Sequence, residues 1–277
     1  MQDKVCSFIA TQNSYAIKKW KDNQLLSAED CLAEEVPIAL VFNGVSHAVM
    51  LATPKDLDDF ALGFSLTEGI LKNKSELYDI EVVALQEGIE LQLTIASERF
   101  ENLKVRRRSM AGRTGCGLCG AENLAQVMRL PQVDASIVQH TLHEISWQSV
   151  QNAYDNIQPM QKLQQLTGAT HACAWADLEG KITLVREDVG RHNAMDKLIG
   201  ALAKATPSSS GFVLTTSRAS YEMVQKVMSV GIQMLAAISA PTGLAARIAE
   251  NNNVTLLGFV RNGTHVVYAH PERLNYK

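Results

Sequence analysis

Two cysteines three positions apart, Cys116 and Cys119, lie in the segment Gly112-Arg-Thr-Gly-Cys-Gly-Leu-Cys-Gly120. That spacing lets both sulfurs face one small volume. It serves four chemistries: zinc ligation, dithiol redox exchange, iron–sulfur binding and sulfur transfer. The spacing alone does not choose among them, but the surroundings bear on each. A structural zinc site draws two further Cys or His at close spacing, and the chain has no second cysteine pair. A thioredoxin-like pair opens a helix straight after a strand. Here four glycines in nine residues favour neither element. An iron–sulfur cluster wants more cysteines than the chain places nearby. Sulfur transfer fits better, because a carrier must present its sulfur to a donor and then to an acceptor, and glycines give a mobile, exposed tether. The thiolate is the reactive form. Arg106, Arg107, Arg108 and Arg113 stand close in sequence, and a helix start follows. The plainer alternative is a structural turn with two incidental cysteines, although free thiols in an exposed loop invite oxidation.

A second constellation lies in the later half. Glu187-Asp-Val-Gly-Arg-His192, Ser217-Arg-Ala-Ser-Tyr221, Ala240-Pro-Thr-Gly243 and Phe259-Val-Arg-Asn-Gly-Thr264 each follow an expected strand. Parallel α/β sheets bind ligands at the carboxyl ends of their strands, where helix N-termini direct N–H groups at anions. Arg191, Arg218 and Arg261 are candidates to clamp phosphates, with Ser217, Ser220 and Thr242 as hydrogen-bond donors. Asp188 is a candidate partner for a guanine or a ribose hydroxyl. The plainer alternative is helix capping, which any protein wants from Ser217 and Thr242. His192 reads equally as a ligand-orienting or acid–base group and as a histidine satisfying a carbonyl at a helix start. No Walker loop and no Gly-x-Gly-x-x-Gly strand–helix signature is present. His270-Pro-Glu272 matches a deaminase His-x-Glu only superficially, because it follows the cysteine pair instead of preceding it.

The elements that must position these groups are read from patterning. Residues 1–30 are polar and weakly patterned, so they read as a loose arm or an edge strand. Two apolar runs around Asn43-Gly44 predict a hairpin, because that pair supplies the positive φ angles of a tight turn. Thr53-Pro54 predicts a helix start, with Thr53 as cap and Leu57, Phe60, Ala61 and Phe64 on one face. A second hairpin is expected over Ile80–Ile95. This gives a small α+β domain over 31–110, then the mobile Gly/Cys loop over 111–121, then a short helix at 122–128. The remainder of 122–277 reads as helix, hairpin, then three strand–helix alternations. That order predicts an α/β domain with a mixed, mostly parallel sheet covered on both faces, one strand antiparallel.

Bulk properties exclude some classes. The chain has 277 residues, 46% hydrophobic and 20% charged, with a formal net charge of −3. A nucleic-acid-coating protein is not expected, and any anion site must be local. The start is too polar for a secretory signal. The apolar stretch from Val230 to Ala249 is broken by Gln233, Pro241 and Arg247, so no membrane span is expected. Five sparse cysteines argue against a disulfide framework and for a reducing cytoplasm. Symmetric homodimers are common for such proteins.

Taken together, Arg113-Thr-Gly-Cys-Gly-Leu-Cys-Gly120, Glu187-Asp-Val-Gly-Arg-His192, Ser217-Arg-Ala-Ser-Tyr-Glu-Met-Val224 and Glu35-Val-Pro-Ile-Ala-Leu40 resemble the formate dehydrogenase accessory proteins of the FdhD family. The resemblance runs from about Glu34 to Arg273. It implies a sulfur carrier that takes persulfide sulfur from an IscS-type cysteine desulfurase and passes it to a molybdenum cofactor bearing two pterin guanine dinucleotides, for use by formate dehydrogenase. Cys116 would carry the persulfide, and Cys119 would have a less defined part. The family's cofactor segment falls on Phe259, Val260, Arg261, Asn262, Gly263 and Thr264, joined by Arg191, His192, Ser217 and Arg218. This chain departs from other members at Val260 and Asn262, where they carry Cys and Pro. The second domain is expected to resemble the cytidine deaminase fold. The places of the deaminase zinc ligands hold Gly190-Arg-His192 and Arg218-Ala-Ser220, without cysteine, so no structural metal is expected. Two rivals stand beside this reading: a zinc-dependent deaminase-like hydrolase, and a cofactor chaperone that carries no sulfur.

Overall fold

The computed structural model describes residues 10–108, 144–205 and 210–277. Cys116, Cys119, Arg113 and the helix expected at 122–128 lie outside the described residues. Residues expected to be a loose arm or an edge strand form a hairpin: β1 (Gln12–Lys21) and β2 (Gln24–Ala33) pair antiparallel over their whole length. Asp22 and Asn23 turn the chain with φ of 51° and 60°, the turn geometry that matches strand twist. The sequence conceals this ribbon because both of its faces are wet. Trp20 and Leu25 are 68% and 63% exposed, so no apolar alternation marks it.

β3 (Val36–Phe42) and β4 (Val45–Ala52) form the hairpin expected at Asn43-Gly44, and β5 (Leu77–Leu85) pairs with β6 (Gly88–Ile95) in the second. β3 lies parallel to β6, so the four strands make one sheet ordered β4-β3-β6-β5. Helix α1 (Leu57–Thr67) starts later than Thr53-Pro54 predicts, with Asp56 at its N-cap. Thr53 is committed elsewhere. Its N–H donates to Asp188 Oδ2 (3.0 Å), its hydroxyl accepts from the Val189 N–H (3.1 Å), and its carbonyl accepts from Lys197 Nζ (2.8 Å). The basic stretch before the glycine segment ends a helix, α2 (Ser97–Arg108). Its charged sequence has no apolar period to reveal it.

The later half opens with the short strand β7 (Ile145–Ser146), then α3 (Trp147–Ile157) and α4 (Lys162–Thr167). Next come β8 (His171–Asp177), β9 (Ile182–Asp188), α5 (Arg191–Ala205), β10 (Gly211–Thr215), α6 (Tyr221–Ser229), β11 (Met234–Ala237), α7 (Gly243–Asn251), β12 (Thr255–Arg261) and β13 (Thr264–Ala269). A last strand, β14 (Leu274–Asn275), pairs with β7. The main sheet is ordered β13-β12-β11-β10-β8-β9. β9, β10, β11 and β12 run one way, while β8 and β13 run against them. The sheet is thus more mixed than expected, with two antiparallel strands instead of one, because β13 folds back beside β12 through the turn at Asn262-Gly263.

One face of this sheet packs on α5, α6 and α7, and the other on α3. The first of these cores is continuous with the N-terminal sheet: Ile38, Leu40, Phe60, Leu198, Val213 and Leu235 belong to a single buried cluster. The expected boundary between 31–110 and 122–277 therefore does not separate two cores. Helix α1 lies between them and is buried on all sides instead of along one stripe. It crosses α5 at two glycines. A Cβ on Gly63 would collide with the Asp196 carbonyl oxygen, and one on Gly200 with the Asp59 carbonyl oxygen. Ion pairs surround the crossing. Asp59 meets Arg186 at 2.7 Å and Lys204 at 2.8 Å, while Asp196 meets Lys226 at 2.8 Å and accepts from Thr67 Oγ1 at 2.7 Å. In an open helix Gly→Ala stabilises by about 1 kcal/mol. At this crossing Gly200→Ala should instead destabilise by about 1–3 kcal/mol, read as a lowered urea midpoint. A neutral or raised midpoint would show that the helices do not meet there.

Candidate functional site

The orientation of the strands brings the expected loops to one edge. Because β9, β10, β11 and β12 point the same way, the segments carrying Arg191, Arg218 and Arg261 all emerge on the same side. β8 lies between β9 and β10 and runs against both, so its first residue, His171, comes to that edge too, opposite Asp188. The loops after β9 and β10 therefore stand two strand spacings apart, about 10 Å, with His171 on the floor between them. The second wall is pinned to the floor: the Thr216 N–H donates to the Ala172 carbonyl (3.0 Å) and Thr216 Oγ1 accepts from the Ala172 N–H (2.9 Å).

Asp188 does not face this crevice. It is fully buried, pairs with Lys197 at 2.6 Å, and accepts from Thr53 N–H, Gly190 N–H and Asn193 Nδ2. The expectation that it meets a guanine or a ribose gives way to a structural role, since a carboxylate with these partners has no free lone pair to offer. Ser217 is likewise turned inward. Its hydroxyl donates to the Arg218 carbonyl (3.0 Å) and shares a hydrogen bond with Thr215 Oγ1 (3.1 Å). It shapes the turn. Thr242 caps α7 through the Ala245 N–H (3.2 Å), as the plainer alternative has it.

Arg191, His192, Arg218 and His171 line this edge. The Arg191 Nε is buried and has no hydrogen-bond partner among the described residues. Arg218 is exposed. His192 Nε2 donates to Glu222 Oε2 at 3.1 Å, and Ser220 Oγ donates to the same oxygen at 3.0 Å. The hydrogen bond from His192 is the main cause that holds the Glu222 carboxyl down to about 2, against the opposing effect of burial. His171 is pushed below the ordinary histidine range by burial first, then by the charges of Arg191 and Arg218. Two guanidinium groups and two imidazoles thus converge on a place where the nearest carboxylates are already engaged.

The Phe259–Thr264 segment lies at the same edge, three strand spacings from His171, about 14 Å. It is the end of β12 and a hairpin turn, not an open loop. Phe259 sits at a register shift with φ of 52°, an outlier for a bulky side chain and the kind of strain that clusters at functional positions. Its ring is 36% exposed, and the Arg261 guanidinium stands 5.5 Å from the ring centroid. Val260 points the other way, wholly buried in the core under α3. As a cofactor contact its side chain is excluded by that burial. Asn262 and Thr264 are exposed, and Gly263 takes φ of 72°. The hairpin is held by Gln151 of α3, which accepts from the Gly263 N–H (2.9 Å) and donates to the Thr264 carbonyl (3.4 Å).

The FdhD/NarQ family model matches residues 33–275. The chain belongs to the FdhD/NarQ family. It is 58% identical over 271 residues to a protein named sulfur carrier protein FdhD from Cupriavidus necator, covering 96% of this chain and 91% of that one. A protein of the same name from Variovorax paradoxus is 54% identical over 257 residues, 91% and 89% of the two chains. A crystal structure from Desulfotalea psychrophila, assigned as a formate dehydrogenase accessory protein, superposes with a TM-score of 0.71 over 96% of this chain and 100% of that one. At 21% identity that likeness speaks for the fold.

Within this family member the structure gathers Arg191, His192 and Arg218 into one crevice and sets Phe259, Arg261, Asn262, Gly263 and Thr264 further along the same edge. Sequence reasoning missed His171, Glu222 and Gln151. The hairpin expected before α5 was a usable signal for His171, because the first residue of an antiparallel neighbour shares the edge with the parallel strand ends. Glu222 gives an acid-limb test. Its carboxyl is depressed from an ordinary value of 4.5 to about 2, so the stability it contributes is complete above 4.5 and is lost as pH falls toward 2. Wild type should therefore exceed Glu222→Gln in urea midpoint at pH 6, and the gap should close across that window. A gap independent of pH would count against the ion pair.

Proposed function

We propose that this chain is a sulfur carrier. It takes sulfane sulfur onto Cys116 and delivers it to a molybdenum cofactor whose guanine dinucleotide arms lie along the cationic edge of the main sheet. The observation that carries the reading is the identity of 58% with a sulfur carrier protein across nearly the whole of both chains. The chemistry of the edge agrees with it. Two arginines and two histidines suit a pyrophosphate, and an exposed ring under strain suits a purine face.

In the first step the Cys116 thiolate attacks the outer sulfur of the donor's persulfide. The donor's S–S bond breaks, its cysteine leaves as a thiolate, and a persulfide forms on Cys116. In the second step the outer sulfur passes to the acceptor and Cys116 returns as a thiolate. The sulfur moves as S⁰, so the molybdenum centre supplies the two electrons that hold it as sulfide. We assign the donor as an IscS-type cysteine desulfurase and the client as formate dehydrogenase, in a reducing cytoplasm where a free thiolate persists. Among the described residues no helix is long and apolar enough to cross a membrane. Arg191, His192 and Arg218 hold the phosphates, Phe259 and Arg261 the base, and the turn Asn262-Gly263-Thr264 closes around it. Cys119 serves as a second thiol that can accept or resolve the persulfide.

Incubation with a cysteine desulfurase and cysteine, followed by intact mass and peptide mapping, should show the mass of one added sulfur on Cys116. Cys116→Ala should lose the transferable sulfur and the activation of formate dehydrogenase, with Cys119→Ala less affected. A wild-type chain that never gains sulfur on Cys116, or a Cys116→Ala chain that still activates the enzyme, would leave the chaperone reading in its place.

A further inference from the structure

We propose that His171 contacts the ligand's pyrophosphate on the floor of the crevice and takes up a proton as the anion binds. The inference rests on the crevice being the phosphate site argued above, and it adds a residue and a regulation to that site. The position comes from topology. β8 is the one strand between the two arginine-bearing loops, and its antiparallel run brings its first residue to their edge. His171 is half-buried within reach of the Arg191 and Arg218 charges, and the buried Arg191 Nε beside it has no hydrogen-bond partner among the described residues. A strand that merely needed to begin here would not call for a half-buried imidazole between two guanidinium groups.

The charges facing it come from each neighbouring element. Arg191 and His192 face it from α5, Arg218 from the loop after β10, and Asp188 from β9. Glu222 of α6 reaches His192 but is engaged there. Asp188 is the only one that favours the imidazolium, and its oxygens are occupied by Lys197, Thr53, Gly190 and Asn193. In the free protein the ring is therefore neutral at neutral pH. A pyrophosphate diester brings two negative charges into contact with the two arginines. Burial, the first cause that lowers the His171 pKa, stays in place, but the repulsion from Arg191 and Arg218 is cancelled and an attraction to the phosphates replaces it. The pKa of His171 then rises on binding. By linkage the ligand binds more tightly as pH falls from the bound value toward the free value, and binding takes up protons. Release would accompany deprotonation, with no movement of the fold required.

The probe must hold its own charge constant. GDP-mannose does so, because both of its phosphates are esterified. Isothermal titration of the full chain with GDP-mannose at pH 6 and pH 8, in two buffers of different ionisation heat, should show tighter binding at pH 6, up to about tenfold for each unit of pKa rise. It should also show proton uptake. In His171→Gln the pH dependence and the uptake should both vanish, while in His270→Gln, whose ring is held by Glu272 and the Glu250 carbonyl away from this edge, both should remain. Equal affinity at both pH values without proton uptake overturns the proposal but leaves the phosphate site standing, and so does uptake that persists in His171→Gln. No binding by wild type at either pH overturns the phosphate reading itself and this proposal with it. Histidine NMR of the wild-type chain supplies the same answer without a variant. The His171 resonance should titrate at higher pH with ligand than without, and an unmoved titration overturns the proposal.

Discussion

The close crossing of α1 and α5 at Gly63 and Gly200 is the constraint on which the rest depends. Backbone meets backbone there, so the N-terminal sheet and the main sheet share one core instead of touching across a wet interface. The crossing also places Thr53 against the start of α5, where its three backbone and side-chain polar groups fix Asp188, Val189 and Lys197. The helix start that carries Arg191 and His192 is thus set by residues far away in sequence. A site on the second half is positioned by the first, which is the preorganisation a binding edge needs.

Much of this was legible in the sequence where periodicity and turn chemistry agreed. Asn43-Gly44 located a hairpin because only a few residue types turn so tightly, and the apolar runs from Phe212 to Val260 located three strands and their helices. The segments that escaped did so for physical reasons. The β1–β2 ribbon has no dry face, so nothing alternates. Among its described side chains, helix α2 turns only Phe100 and Leu103 to the core, too few to make a visible period. Helix α1 is buried all round, so the stripe of Leu57, Phe60, Ala61 and Phe64 understates it. Thr53 has the composition of a cap and serves as a bracket. At the site, the arginine-bearing turns could be located because each comes directly after a parallel strand. His171 was passed over because it opens its strand, and its place at the same edge follows only once that strand is known to run against its neighbours. The inward rotation of Ser217 and Val260 is a matter of register, which composition does not disclose. The cysteine pair falls outside the described residues, so its chemistry rests on sequence and kinship alone.

Under the proposed function, the edge combines two kinds of recognition that seldom come from one element. Between β9 and β10 the groups are cationic and hydrogen-bonding, suited to phosphate and indifferent to base. At β12 the group is a ring forced outward by an unfavourable backbone angle and faced by a guanidinium. A long ligand that carries charge at one end and a flat heterocycle at the other can satisfy both at once. A short anion or a lone base satisfies only one. Under that proposal the separation sets the ligand length that can reach both groups.

The saturation of Asp188 has a consequence for the electric field of the molecule. The chain as a whole is acidic, at −3, and an aspartate directly below the arginine-bearing edge would ordinarily repel an anion. Here the carboxylate is paired with Lys197 and held by three N–H donors, so its charge is partly offset inside the protein. The fold thus engages its own acids, Asp188 with Lys197 and Glu222 with His192, and leaves Arg191 and Arg218 as a local positive region on a molecule that is negative overall.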